Sequence, residues 1–184
     1  FEAAAGSCVS RSNYEVSVEH VTQVFIDEQT ADVSCILNHY DVDRGRLSKA
    51  IQSSIEKFKT GNSGRPVFSP ILIDWIESSW VLSSLDFELA QVRSGCLLIA
   101  LLENATRFGG DWVDLLLEKI DVGDLKKNYA TIIIDSKEEA NFSQSGAGQA
   151  EGGRSMPGGE SFLEKYCNNF TAKAREGKID PVFG

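Results

Sequence analysis

His20-Val21-Thr22-Gln23-Val24-Phe25-Ile26-Asp27 aligns position for position with Cys96-Leu97-Leu98-Ile99-Ala100-Leu101-Leu102-Glu103. Further on, Asp41-Val42 before Leu47 matches Asp121-Val122 before Leu125 in the same order. The intervals are roughly 76 to 80 residues, which reads as a duplicated unit. Apolar residues recur in both copies at helical spacing, so the fold class is all-α, and the two copies packed together form one pseudo-twofold core.

Working outward, Ser17 is the expected N-cap of the first copy's helix, with Glu19 in the first turn facing its positive end. Ser69-Pro70 is a stronger start signal. Serine caps free amides, while proline at the first helical position has no amide to leave unsatisfied. The helix expected from there to about Leu85 carries Leu72, Trp75, Ile76, Ser79, Trp80 and Ser83 at steps of three and four. Ile132-Ile133-Ile134 offers the alternative of a short strand, because β-branched runs favour sheets. Composition divides the 184 residues into a helical domain over 1–135, a polar, glycine-rich flexible linker over 136–160, and a short amphipathic helical segment over 161–184. Ser161-x-x-Glu164 is a capping box for that last segment.

Eighteen Lys+Arg against 27 Asp+Glu give a formal charge of −9, which disfavours a phosphate-backbone binder, so no nucleic-acid partner is expected. Cys8, Cys35, Cys96 and Cys167 are widely spaced and read as thiols of a reducing compartment, not a disulfide framework or a metal site. The longest apolar stretch, Cys96 to Leu102, falls far short of the roughly 20 residues that span a bilayer. The chain opens on Phe1-Glu2-Ala3-Ala4-Ala5, with no basic segment and apolar region of a signal peptide, and reads as a piece cut inside a helix.

No catalytic constellation emerges. Gly177-Lys178 is followed by Ile179 and lacks the earlier glycine of a phosphate-cradling loop. Gly146-x-Gly148 has its third glycine misplaced for a dinucleotide fingerprint, so a nucleotide-using enzyme is the rival of another class and the weaker one. His20 reads as a structural polar contact, His39 as a charge at a helix terminus, and Glu138-Glu139 as solvated surface. Trp75 and Trp80 read as core anchors. Ser78, Ser79, Ser83 and Ser84, like Ala3-Ala4-Ala5-Gly6, are small enough to admit another helix, either in close packing or in a peptide groove.

Residues 21–47 and 93–125 resemble the paired four-helix units of the Clp amino-terminal domain. Glu19-His20-Val21 and Gly95-Cys96-Leu97-Leu98-Ile99-Ala100-Leu101-Leu102 match the family's repeat core, with Cys96 where histidine is usual. Phe162-Leu163-Glu164-Lys165-Tyr166 and the stretch from Phe170 to Gly184 are similar to the start of the first AAA+ ATPase module of Clp unfoldases. Within the family, Ala3 to Arg11, Tyr14 to His20, Phe68-Ser69-Pro70, the Trp75/Trp80 helix and Val92-Arg93-Ser94-Gly95 look most like the ClpV-type ATPases of type VI secretion.

The resemblance implies a cytoplasmic chaperone whose hexamer uses ATP and Mg to disassemble and recycle secretion sheath, with the amino-terminal domain taking hold of a sheath-subunit helix. This chain is then the recognition domain and linker, expected to be monomeric as a piece, without catalytic or metal residues of its own. A segment ahead of Phe1 is expected to complete the groove. Phe1, Ala4, Ala5 and Cys8 are the expected groove wall, with Trp80, Ser83 and Ser84 as a second wall. Pro181, Val182 and Phe183 are carried over as an adenine edge that serves only in the full-length parent. The rival within the family is the amino-terminal domain of a ClpB-type general disaggregase.

Overall fold

The computed structural model describes residues 1–138. Nine α-helices form within them: α1 Glu2–Ser10, α2 Val18–Asp27, α3 Asp32–His39, α4 Arg44–Ile55, α5 Pro70–Leu85, α6 Ser94–Glu103, α7 Ala105–Phe108, α8 Asp114–Leu117 and α9 Val122–Ile132. A 3-10 turn, Asp111–Val113, leads into α8. The expected linker beyond Glu138, the capping box at Ser161 and the residues Cys167, Pro181, Val182 and Phe183 lie outside the described residues.

The start signals act as their chemistry requires. Ser69 Oγ accepts from the Leu72 amide at 3.1 Å, with Pro70 at the first helical position. The Asp43 and Asp121 carboxylates accept from the Arg46 and Asp124 amides, so α4 and α9 start on the same device. Each N-cap stands four residues before an apolar anchor, Leu47 or Leu125, both buried. The structural counterpart of Asp121 is therefore Asp43 and not Asp41, which takes a left-handed turn conformation at φ 50°. Between α6 and α9 the chain forms no single long helix: α7, the 3-10 turn and α8 occupy that stretch.

The strand alternative at 132–134 fails. Ile132 closes α9, buried in the core, and Ile133 caps it. One small sheet does form elsewhere, where Glu15–Val16 (β1) pairs in parallel with Val67–Phe68 (β2), Glu15 opposite Val67 and Val16 opposite Phe68. Two residues per strand leave no periodicity to read.

α6 is the centre. Ser94 through Leu102 are all buried, as a helix apolar on every side must be. α5 packs along it, and Trp75 Nε1 donates to the Leu97 carbonyl at 2.9 Å. Ser79 and Ser83 lie on the buried face of α5, so the helix their small side chains admit is the chain's own α6.

Beside the start of α6 sits a buried ion pair. Arg93 Nε and Nη2 donate to the two oxygens of Asp32 at 2.8 and 2.7 Å, and the Tyr129 hydroxyl donates to Asp32 Oδ2 at 2.9 Å. Burial pushes the Asp32 carboxyl up, but the hydrogen bonds and charge of Arg93, with Tyr129 and Ser136, hold it below the ordinary carboxylate range. Gly95 is required by this contact: a Cβ there would stand 2.6 Å from the Tyr129 hydroxyl oxygen.

Glu138, read as solvated surface, instead reaches back to this junction. Its carboxylate accepts from the Ser94 amide (2.9 Å), the Ser94 hydroxyl (2.9 Å) and the Asp32 amide (3.2 Å), capping α6 and α3 together. The Lys137 amide and Ser136 hydroxyl both donate to the Thr30 carbonyl. The folded domain thus extends past residue 135 through at least Glu138, because helix ends that composition does not reveal supply the donors.

Asp32→Asn removes the buried charge to which Arg93 Nε and Nη2 both donate. Urea denaturation is expected to show a loss of about 3–5 kcal/mol, the typical cost of breaking a buried pair from one side. A loss below about 1 kcal/mol, the value of an exposed pair, contradicts this assignment.

Candidate peptide-binding surface

The α1 helix has two faces, and one step along the sequence separates them. Ala4 and Cys8, four residues apart, are fully buried in the core as α1 packs on α2, with Cys8 Sγ donating to the Asn13 carbonyl at 3.6 Å. They cannot line a groove in this arrangement, which corrects half of the expected first wall. Phe1, Ala5 and Val9 form the next stripe round the helix at the same four-residue spacing. Phe1 and Val9 are about half exposed and Ala5 is half-buried.

Phe68 adjoins this stripe. Its ring stands edge-on to that of Phe1 at 6.5 Å between centroids and is likewise about half exposed. The β1–β2 pairing fixes this neighbour: the Val67 amide donates to the Tyr14 carbonyl and the Ser69 amide to the Val16 carbonyl. Tyr14 and Val67, beside the same strand pairing, are also at least half exposed. Phe68 and Val9 were not anticipated as site residues. The repeat Phe1-x-x-x-Ala5-x-x-x-Val9 was the available signal for Val9, whereas Phe68 comes to the site only through the strand pairing.

The expected second wall does not assemble with the first. Trp80 is half exposed and so is not a core anchor, unlike Trp75 at 1%. It stands about 15 Å along α5 from the start of that helix. Ser83 is fully buried and its hydroxyl donates to the Gln91 carbonyl at 2.9 Å, so it belongs to the packing. Ser84 is only part-exposed and returns its proton to the Val81 carbonyl.

His20 is a structural contact. It is fully buried; the Ser17 amide donates to Nδ1 at 3.2 Å, and Nε2 lies 3.3 Å from Asn13 Oδ1. An accepting Nδ1 places the proton on Nε2, which makes the ring a neutral donor to Asn13. Burial first, and the Arg11 charge second, lower its pKa to about 4. His39 ends α3, the terminus at which it was expected. Among the described residues no group of His, Cys, Asp and Glu is placed to hold a metal, and no helix is long and apolar enough to cross a membrane.

The fold has solved counterparts. The N-domain of ClpV from Vibrio cholerae superimposes with a TM-score of 0.70 at 34% identity, over 74% of this chain and 82% of that one. The chain belongs to the Clp amino-terminal domain family. A structure described as a complex of ClpV N-domain with VipB peptide gives a TM-score of 0.68, also at 34% identity, over 74% of this chain and 84% of that one. Two curated relatives match all of the chain: the AAA+ ATPase ClpV1 of Pseudomonas aeruginosa at 27% identity and the chaperone protein ClpB of Yersinia enterocolitica at 28%. The chain spans about a fifth of the length of each, 21% and 22%. No protein-family model matches it. For a Clp N-domain, the all-helical expectation and the likeness to ClpV both stand.

Two outcomes check this surface. Ala4→Leu is expected to overpack the core and cost about 1–3 kcal/mol of unfolding free energy, whereas Ala5→Leu, on the half-buried stripe, leaves the urea midpoint nearly unchanged. For His20, the unfolded ring binds its proton near pH 6.5 and the folded ring near pH 4, so stability is full above pH 6.5 and falls as pH drops through that window. Melting temperature followed from pH 7 to 5 is expected to decline in the wild type and to be flatter in His20→Gln.

Proposed function

We propose that this chain is the substrate-recognition domain of a ClpV-type AAA+ unfoldase and that it takes a helix of a type VI secretion sheath subunit onto the Phe1–Ala5–Val9 stripe beside Phe68. The observation that carries the reading is the 34% identity to the ClpV N-domain described in complex with VipB peptide. An amphipathic helix laid on such a stripe buries anchors at three- and four-residue spacing, the pattern α1 itself presents. Phe1 and Phe68 supply the large apolar contacts, and the small side chain of Ala5 lets the partner's backbone come close.

In the full-length protein this domain gives specificity and raises the local concentration of sheath. ATP and Mg belong to an ATPase module that residues 161–184 begin, with Pro181, Val182 and Phe183 at the adenine edge. The parent acts as a cytoplasmic hexamer that disassembles and recycles sheath, and residues beyond Glu138 up to 160 form the linker. The similarity to ClpB at 28% identity favours the second reading, a disaggregase domain that takes exposed apolar segments of many clients.

Calorimetry with a synthetic sheath-subunit helix and a scrambled peptide of equal composition separates the two. Selective binding of the sheath helix is expected, weakened about ten-fold or more in Phe68→Ala, the loss produced by about 1.4 kcal/mol. Equal binding of both peptides assigns the domain to the disaggregase reading.

A further inference from the structure

A concave site lies along α4. A groove of about 330 Å³ is lined by Arg46, Ala50 and Ser54 of α4, by Lys57 in the turn that follows it, and by Asp111, Trp112 and Leu115 across from them. None of these residues belongs to the proposed peptide surface. Arg46, Ala50 and Ser54 fall at steps of four, one face of the helix.

Three features of this groove bear on what it can hold. Trp112 is 2% exposed, and its indole Nε1 is a buried donor with no partner, whereas the equally buried Trp75 donates to the Leu97 carbonyl. A buried N–H left unpaired costs about 1–3 kcal/mol, so its persistence calls for an acceptor. Next, Gly110 has an extended backbone, φ −108° and ψ −171°, that any residue adopts. A Cβ there would come within 3.2 Å of Trp112 Nε1 and 3.6 Å of Ser54 Oγ. Glycine therefore keeps the space beside both groups clear. Last, Arg46 and Lys57 are exposed cations that take part in no ion pair among the described residues. With Asp111 as the single acidic lining residue, the groove is net positive in a chain of formal charge −9.

We propose that this groove binds a carboxylate, held by Trp112 Nε1–H and the Ser54 hydroxyl at its floor and by Lys57 at its rim. The indole, the ammonium and the guanidinium donate only, and the hydroxyl donates as readily, so the set selects an anionic oxygen. Lys57 follows Ser54 by three residues, in the turn that leaves α4, and both line the same groove. Arg46, two turns further back, attracts the anion from a distance and fixes one end of any longer ligand. A carboxylate has two oxygens for the two floor donors, with its charge met by Lys57, and charge-assisted bonds of this kind are the stronger class. Its source is either the acidic side chain of a protein partner or a free small carboxylic acid.

Indole N–H resonances of the 184-residue chain read the site directly, because the three tryptophans occupy different environments: Trp75 bonded, Trp80 exposed, Trp112 unpartnered. Trp112→Phe assigns the signal. Titration with sodium acetate, and separately with N-acetyl-aspartyl amide, is set against sodium chloride at equal ionic strength. The Trp112 signal is expected to shift saturably with a carboxylate while that of Trp75 stays in place. Lys57→Ala, at an exposed position, is expected to weaken the response about ten-fold, the size of a charge-assisted bond, and Ser54→Ala to weaken it in the same direction. A response to the blocked aspartate alone identifies a protein side chain as the ligand; a response to acetate as well admits the free acid. The proposal is overturned by a Trp112 signal that neither carboxylate moves, that chloride moves equally, or whose response Lys57→Ala leaves intact. None of these results bears on the sheath-helix surface, which the peptide calorimetry tests separately.

Discussion

The buried Asp32–Arg93 pair is the constraint on which the rest of the domain depends. It joins α3 to the N-cap of α6, with a side-chain exposure of 0% for Asp32 and 10% for Arg93. A charge taken out of water at that depth is tolerable only when every donor and acceptor around it is placed. That requirement recruits Tyr129 from α9, forbids a side chain at Gly95, and sets Ser94 where its amide and hydroxyl meet Glu138. Three helices and the end of the described chain are thereby fixed to one point. Burial first, and the neighbouring Asp32 charge second, raise the Glu138 carboxyl above its usual range, so the two acids titrate apart although they cap the same junction.

The surface follows from the core. Once α1 is held on α2 by Ala4 and Cys8, the adjacent stripe of Phe1, Ala5 and Val9 has no element of the described chain to cover it. A helix turns about 100° per residue, so moving from Ala4 to Ala5 changes an interior position into a boundary one. The parallel pairing of β1 with β2 then sets Phe68 against Phe1. The apolar surface is therefore the remainder left by two packing decisions.

Serine-rich α5 shows the same logic from inside. Its hydroxyls return to backbone carbonyls, Ser78 to Asp74, Ser79 to Trp75 and Ser83 to Gln91, which lets a polar side chain be buried at small volume. α6 comes close as a result, and Trp75 spans the contact with both its ring and its N–H. Trp112 fills a comparable position near α4 but finds no carbonyl, so two buried tryptophans of one domain differ in whether the fold itself satisfies them.

Most of the helices were written in local chemistry. Ser17, Ser69-Pro70 and the all-apolar run of residues 96–102 determine where α2, α5 and α6 stand, because caps and period act within a turn or two and need no distant partner. The resemblance to Clp N-domains was legible for a related reason: cap and core positions recur at fixed intervals along the chain. Tertiary structure alone decided which alanine of Ala3-Ala4-Ala5 faces inward, since three identical small residues carry no phase. It also decided that Trp80 is at the surface while Ser83 is not, because hydropathy ranks them in the opposite order. The ion pair of Asp32 with Arg93, and the return of Glu138 to cap two helices, join residues 44 to 106 positions apart. Their charges look like ordinary solvated surface until the folded chain removes the water around them.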